Sequence, residues 1–128
     1  MDDFTSSRGL RPLRCTASRP LPQVCVAHLS GELDMATAPL LADYLREQTA
    51  YRPTELVLDL GQVTLLAAAG LALIVRALNN DSGIHGQLHL TGVTGNRPVE
   101  HVLRLTGLTS ILDIDDNLQT MLDTLPRI

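Results

Sequence analysis

Apolar and polar positions along the chain fall into short β-prone runs alternating with stretches of helical spacing. Leu13 to Thr16 and Val24 to Leu29 read as strands separated by the breaker Arg19-Pro20-Leu21-Pro22, which predicts an opening hairpin. Thr37 with Pro39 close behind marks a helix start, because proline in the first turn gives up only an amide that has no intrahelical partner. Leu40, Leu41, Tyr44 and Leu45 then share one face, suited to packing on a sheet. Glu55 to Leu60 is a strand, and the stretch after it is apolar nearly all round, as expected of a buried strand feeding a well-covered helix. On that helix, spacing predicts a core stripe of Leu71, Ile74, Val75 and Leu78 and an opposite stripe of Ala68, Ala72, Arg76 and Asn79.

After the turn Asp81-Ser82-Gly83, Gln87 to Thr91 reads as a further strand. Asn96 is placed to cap a helix containing Val99, Val102 and Leu103, with Gly107 as its left-handed stop. Asp115 or Asp116 is placed to cap a last helix carrying Leu118, Met121, Leu122 and Leu125, ended by Pro126. The order of strand, strand, helix, strand, helix, strand, helix, helix implies an α/β fold: a mixed sheet with about four helices packed mainly on one face. Residues 1–12 are polar, without periodicity, and are expected to be a flexible N-terminal segment.

Length and charge narrow the function classes. The 128 residues suit one domain, residues 13–128, with a real core. Ten basic against fourteen acidic residues give a net charge of −4, and basic residues do not cluster with aromatics, so direct nucleic-acid binding is not expected. The longest apolar run, Val63 to Val75, is shorter than the ~18 residues of a membrane helix, and the N-terminus lacks the layout of a signal peptide. A soluble, cytoplasmic protein without membrane contact is expected.

The segment Leu56-Val57-Leu58-Asp59-Leu60-Gly61-Gln62-Val63-Thr64-Leu65-Leu66-Ala67-Ala68-Ala69-Gly70-Leu71 carries the strongest signal. It resembles the strand and motif of STAS domains, above all the bacterial anti-sigma-factor antagonists, in which an Asp-Ser-Ser-Gly or Asp-Ser-Thr-Gly box opens the second helix and its first hydroxyl residue is phosphorylated by the partner kinase. Gly31-Glu32-Leu33-Asp34-Met35-Ala36-Thr37-Ala38-Pro39-Leu40 resembles the family's opening strand-to-helix segment, and Arg104-Leu105-Thr106-Gly107-Leu108 its third-helix ending. The three landmarks stand in the family's order and cover about Val24 to Leu125. The resemblance implies a STAS-like α/β fold with a four- to five-stranded sheet, the fifth strand lying near Ile111 to Ile114.

In this chain the box reads Ala67-Ala68-Ala69-Gly70. Ala68 stands at the phosphoacceptor position and Ala67 at that of the neighbouring aspartate, so no phosphoacceptor is expected. The resemblance implies a partner-binding surface made by Asp34, Ala67, Ala68, Ala69, Ala72 and Arg76. Ala67 to Ala69 are also simply good helix formers, and Asp34 reads equally well as a turn residue before Thr37. Asp59, at the end of a buried strand, reads as an acceptor of loop amides rather than a chemical group. Thr64, the nearest remaining hydroxyl, reads as a cap or strand end and only secondarily as a displaced phosphosite.

The expected function is that of a non-enzymatic interaction module which binds an anti-sigma factor of the histidine-kinase-like ATPase type and so regulates sigma-factor-dependent transcription. The alternative is a STAS scaffold or ligand-sensing module that takes a small anion or nucleotide at the helix start, where free amides and the helix dipole favour negative charge. An enzyme ranks lowest, since no Gly-rich phosphate loop, nucleophile–base pair or metal cluster shows in the sequence. No cofactor is expected. Cys15 and Cys25, equidistant from Pro20, would face each other in a symmetrical hairpin, with two reduced, packed thiols as the default. His28, His85, His89 and His101 lack metal-ligand spacing and read as surface or core histidines. A homo-oligomer stays open.

Overall fold

A computed structural model describes residues 13–80 and 83–125, together with the backbone of residues 3–5. In chain order the elements are β1 (Asp3–Thr5), β2 (Arg14–Ser18), β3 (Val24–Leu33), α1 (Ala38–Gln48), β4 (Glu55–Leu66), α2 (Ala68–Leu78), β5 (Gln87–Thr91), α3 (Arg97–Leu105), a 3-10 turn (Leu108–Ser110), β6 (Asp113–Asp115) and α4 (Leu118–Thr124). β1, inside the segment expected to be flexible, adds an edge strand antiparallel to β2. The rest of residues 1–12, and the expected stop at Pro126, lie outside the described residues.

The described sheet has six strands in the order β1-β2-β3-β4-β5-β6, antiparallel up to β3 and parallel from β3 to β6. Each parallel pair is joined through one helix and every crossover steps the same way, so the right-handed rule places α1, α2 and α3 on one face. Alternation along the strands divides the core accordingly. Cys25, Ala27, Leu56, Leu58, Leu88 and Leu90 face the three helices, while Val24, Val26 and Val57 form a smaller cluster on the other side with Met121 of α4.

Several boundaries and registers differ from expectation. β3 and β4 run on to Leu33 and Leu66, with register shifts between His28 and Ser30 and between Gly31 and Glu32. The hairpin pairs Arg14 with Ser30 and Cys15 with Leu29, so it turns about Pro22 rather than Pro20 and Cys15 does not face Cys25; both are buried and neither is part of a disulfide. On α2 the buried residues are Gly70, Leu73, Ile74 and Ala77, whereas Leu71, Val75 and Leu78 are only half-buried. On α1 they are Ala38, Leu41, Ala42 and Leu45, with Leu40 and Tyr44 at the margin.

Two caps also differ. Asn96 holds the N-cap position of α3, yet its amide Nδ2 reaches across to donate to the carbonyls of Leu60 (2.7 Å) and Val63 (3.0 Å) on β4. α4 is capped by Asn117, whose Oδ1 accepts the Thr120 amide at 2.9 Å, and not by Asp115 or Asp116. Gly107, at φ +78°, supplies the left-handed stop after α3. Asp59 takes its expected part, with Oδ1 accepting the Gly61 amide at 3.1 Å and Oδ2 lying 3.0 Å from His28 Nδ1.

Candidate partner-docking surface

The chain passes from sheet to helix at Leu66-Ala67-Ala68. Ala67 holds the N-cap position of α2 at φ −93°, ψ 176°, the extended backbone of a capping residue. Its amide donates to the Leu33 carbonyl at 2.9 Å, which ties the start of α2 to the end of β3. A methyl group offers no acceptor, so α2 opens without a side-chain cap and the amides of Ala68, Ala69 and Gly70 have no partner within the helix. Ala68 is exposed, and Ala69 is half-buried against the core. A Cβ at Gly70 would lie 2.7 Å from Leu33 Cγ and 2.8 Å from Leu66 Cδ1, so packing alone accounts for the glycine of the box.

Asp34 follows Leu33 and so sits near this junction. Its Oδ1 accepts the amides of Ala36 (2.9 Å) and Thr37 (3.0 Å), which is the turn-residue geometry of the two readings. Thr37 Oγ1 accepts the Asp34 amide at 3.0 Å and donates to the Glu32 carbonyl at 2.9 Å. That hydroxyl is therefore drawn back toward β3, and α1 begins without a side-chain cap.

Between α1 and α2 runs a groove of roughly 330 Å3. Ala69, Ala72 and Arg76 line it from α2, and Pro39, Asp43 and Arg46 from α1, with Met35 from the turn before α1. Three of the expected docking residues thus come together in the groove, while Asp34, Ala67 and Ala68 stand outside its lining at the two helix starts. The exposed stripe Ala68, Ala72, Arg76 and Asn79 is as the spacing predicts. Thr64 is an exposed residue of β4 and not a cap.

The α1 wall of the groove escaped the sequence reading. Its signal was Met35, a large apolar side chain 81% exposed in the short turn between Asp34 and Thr37. Arg46 pairs with Asp43 one helical turn back, and Arg46 and Arg76 both occupy last turns, where cations complement the helix dipole. Alanines keep the floor low, a thioether and a proline ring supply apolar contact, and the arginines supply charge. The lining residues hold no nucleophile paired with a base.

The crystal structure of an anti-sigma factor antagonist from Mycobacterium paratuberculosis matches this chain with a TM-score of 0.75 at 23% identity, over 94% of this chain and 97% of that one. The unphosphorylated form of the anti-sigma factor antagonist SpoIIAA matches with a TM-score of 0.67 at 13% identity, over 88% and 99%. The fold is thus the one these antagonists share. The sequence profile described as "Mlab, STAS domain" matches residues 17–114, and the chain belongs to the STAS-domain family. No curated protein sequence matches the chain significantly. Among the described residues no helix is long and apolar enough to cross a membrane.

Proposed function

We propose that this STAS domain is a non-enzymatic, cytoplasmic interaction module that binds an anti-sigma factor of the histidine-kinase-like ATPase type and thereby regulates sigma-factor-dependent transcription. The docking surface comprises Asp34, Ala67, Ala68, Ala69, Ala72 and Arg76, extended by the α1 wall of the groove. The observation that carries this reading is the exposed, small-residue stripe that begins at Ala68 and runs beside the groove. The kinase and its ATP belong to the partner.

Phosphorylation at a docking surface releases a partner by adding charge that must be desolvated or repelled. Ala68 has no oxygen to accept phosphate, so binding by this chain is not dismissed by that route. The small-anion alternative has less support, because the helix start lacks any polar side chain to complete a cradle. Calorimetry with a cognate kinase-type anti-sigma factor, alongside labelled ATP, tests the proposal. Binding is expected without label, Ala72→Glu is expected to weaken it at least about tenfold with an unchanged melting profile, and Ala67→Asp with Ala68→Ser is expected to gain label. Stoichiometric phosphate on residues 64–70 of the unaltered chain, or unchanged affinity in Ala72→Glu, would overturn it.

A further inference from the structure

The sheet face turned away from α1, α2 and α3 carries a polar patch that the docking surface does not use. Leu88, Leu90 and Ile114 point into the main core, so His89, Thr91, Asp113 and Asp115 stand on the opposite face. Parallel register sets His89 beside Asp113 and Thr91 beside Asp115. Only 5% of His89 is exposed, and both ring nitrogens meet carboxylates. Nε2 lies 2.7 Å from Glu55 Oε1 on β4, and Nδ1 contacts Asp113 Oδ2. One ligand atom from each of His89, Asp113 and Asp115 falls within 4.8 Å of the others.

An independent observation points to a missing partner here. The Thr91 hydroxyl, in a residue 1% exposed, has no hydrogen-bond partner among the described residues, and in register Thr91 stands between Asp59 and Asp115. With Glu55 accepting the Nε2 proton, a neutral His89 presents the Nδ1 lone pair to a carboxylate, acceptor against acceptor. Positive charge has to lie between them. A proton on Nδ1 would satisfy that one contact but leave Thr91 unpaired and Asp115 against Asp113.

We propose that His89, Asp113 and Asp115 form a binding site for a divalent transition-metal cation, with Glu55 holding the far nitrogen of the His89 ring and Thr91 facing metal-bound water. Small side-chain rotations bring the three ligand atoms onto one ion at about 2.1 Å. One imidazole nitrogen with two carboxylate oxygens suits zinc or manganese better than magnesium or calcium, which favour oxygen throughout. Glu55 fixes the ring tautomer so that Nδ1 is free to ligate, the usual office of a carboxylate behind a metal-bound histidine. Asp113 is half exposed, which gives the ion a way in and leaves positions for water.

The test titrates zinc and manganese chloride separately into the metal-free full chain by calorimetry, with thermal melts in parallel. One ion per chain and a raised melting temperature are expected for at least one of the two metals, and millimolar magnesium should not compete. Asp115→Asn should weaken binding at least tenfold, Thr91→Val less, and His101→Gln, at an exposed position of α3, not at all. If His89→Gln fails to fold, Asp115→Asn with an unaltered far-ultraviolet spectrum still decides the matter. Absence of binding by both metals at millimolar concentration would overturn the site and leave a protonated His89 as the bridge between Glu55 and Asp113. Full binding in Asp115→Asn would overturn it by moving the ion elsewhere.

Discussion

Placing an acceptor at the open end of α2 probes whether that end is an unfilled cap or a rebuilt piece of core. Ala67 already has capping backbone geometry, and the amides of Ala69 and Gly70 are the donors that a capping oxygen takes. Ala67→Ser should therefore stabilise the domain by about 0.5–1 kcal/mol, and Ala67→Asp by a few tenths more through the helix dipole. For 128 residues the unfolding entropy is about 0.27 kcal/mol/K, so 1 kcal/mol corresponds to a rise in melting temperature of about 4 °C. Melts followed by circular dichroism at pH 7 and pH 3 read both effects. The amides would hold the new carboxylate's folded pKa below its unfolded value of about 3.9, so its contribution is present above that value and is lost as pH falls through the folded one. The serine gain should persist in acid while the aspartate gain fades. Both variants melting below the unaltered chain at pH 7 would refute the reasoning and show that Ala67 sits in an apolar seat.

Other expectations concern packing and protons. Gly70→Ala should destabilise by about 1 kcal/mol, since overpacking against Leu33 and Leu66 costs about 1–3 kcal/mol and the helix-propensity gain returns only about 1; urea midpoints measure it, and a rise would contradict the contact. Asn96→Ala should cost about 1–3 kcal/mol by the same assay, because two β4 carbonyls lose their donor. Burial raises the Cys25 thiol above its ordinary value, with Arg19 opposing, so the folded chain keeps a proton that the unfolded chain releases. Stability should then fall as pH rises past about 8.5, with a slope approaching 1.4 kcal/mol per unit, and Cys25→Ala should flatten that part of the curve.

Much of the fold is legible in local pattern, because each βα unit carries its own turn residues and its own apolar face. The three family landmarks held their order, and the Ala68, Ala72, Arg76, Asn79 stripe emerged exposed. Phase was lost where the pattern has none. α2 is apolar nearly all round, so spacing cannot say which stripe goes inward, and the small residues Gly70 and Ala77 took the tight places. Register was lost in the hairpin, because the two prolines of the turn do not fix its centre and a small slip re-pairs every residue. The His89 patch was illegible for a related reason: its partners lie on neighbouring strands, Glu55 and Asp113, far apart in the chain and joined only by sheet register. Met35 was readable as a misplaced apolar residue, but its meaning needed the groove beside it.

The order of strands in the sheet is the order of strands in the chain. From β3 onward each new strand adds to the one made just before it, and pairings such as Ala27 with Leu58, Leu58 with Leu90 and Leu90 with Ile114 span a single crossover each. The length-dependent closure entropy of such a loop is about 3 kcal/mol, and it is met in similar instalments rather than in one long-range step. A chain leaving the ribosome amino end first can thus lay down β3, β4, β5 and β6 in turn, each finding its edge already waiting. Among the described helices, α4 is the one that turns back to cover the second face over Val24, Val26 and Val57, beside Leu21 from the hairpin turn, so that face of the sheet closes after the strands beneath it are laid down.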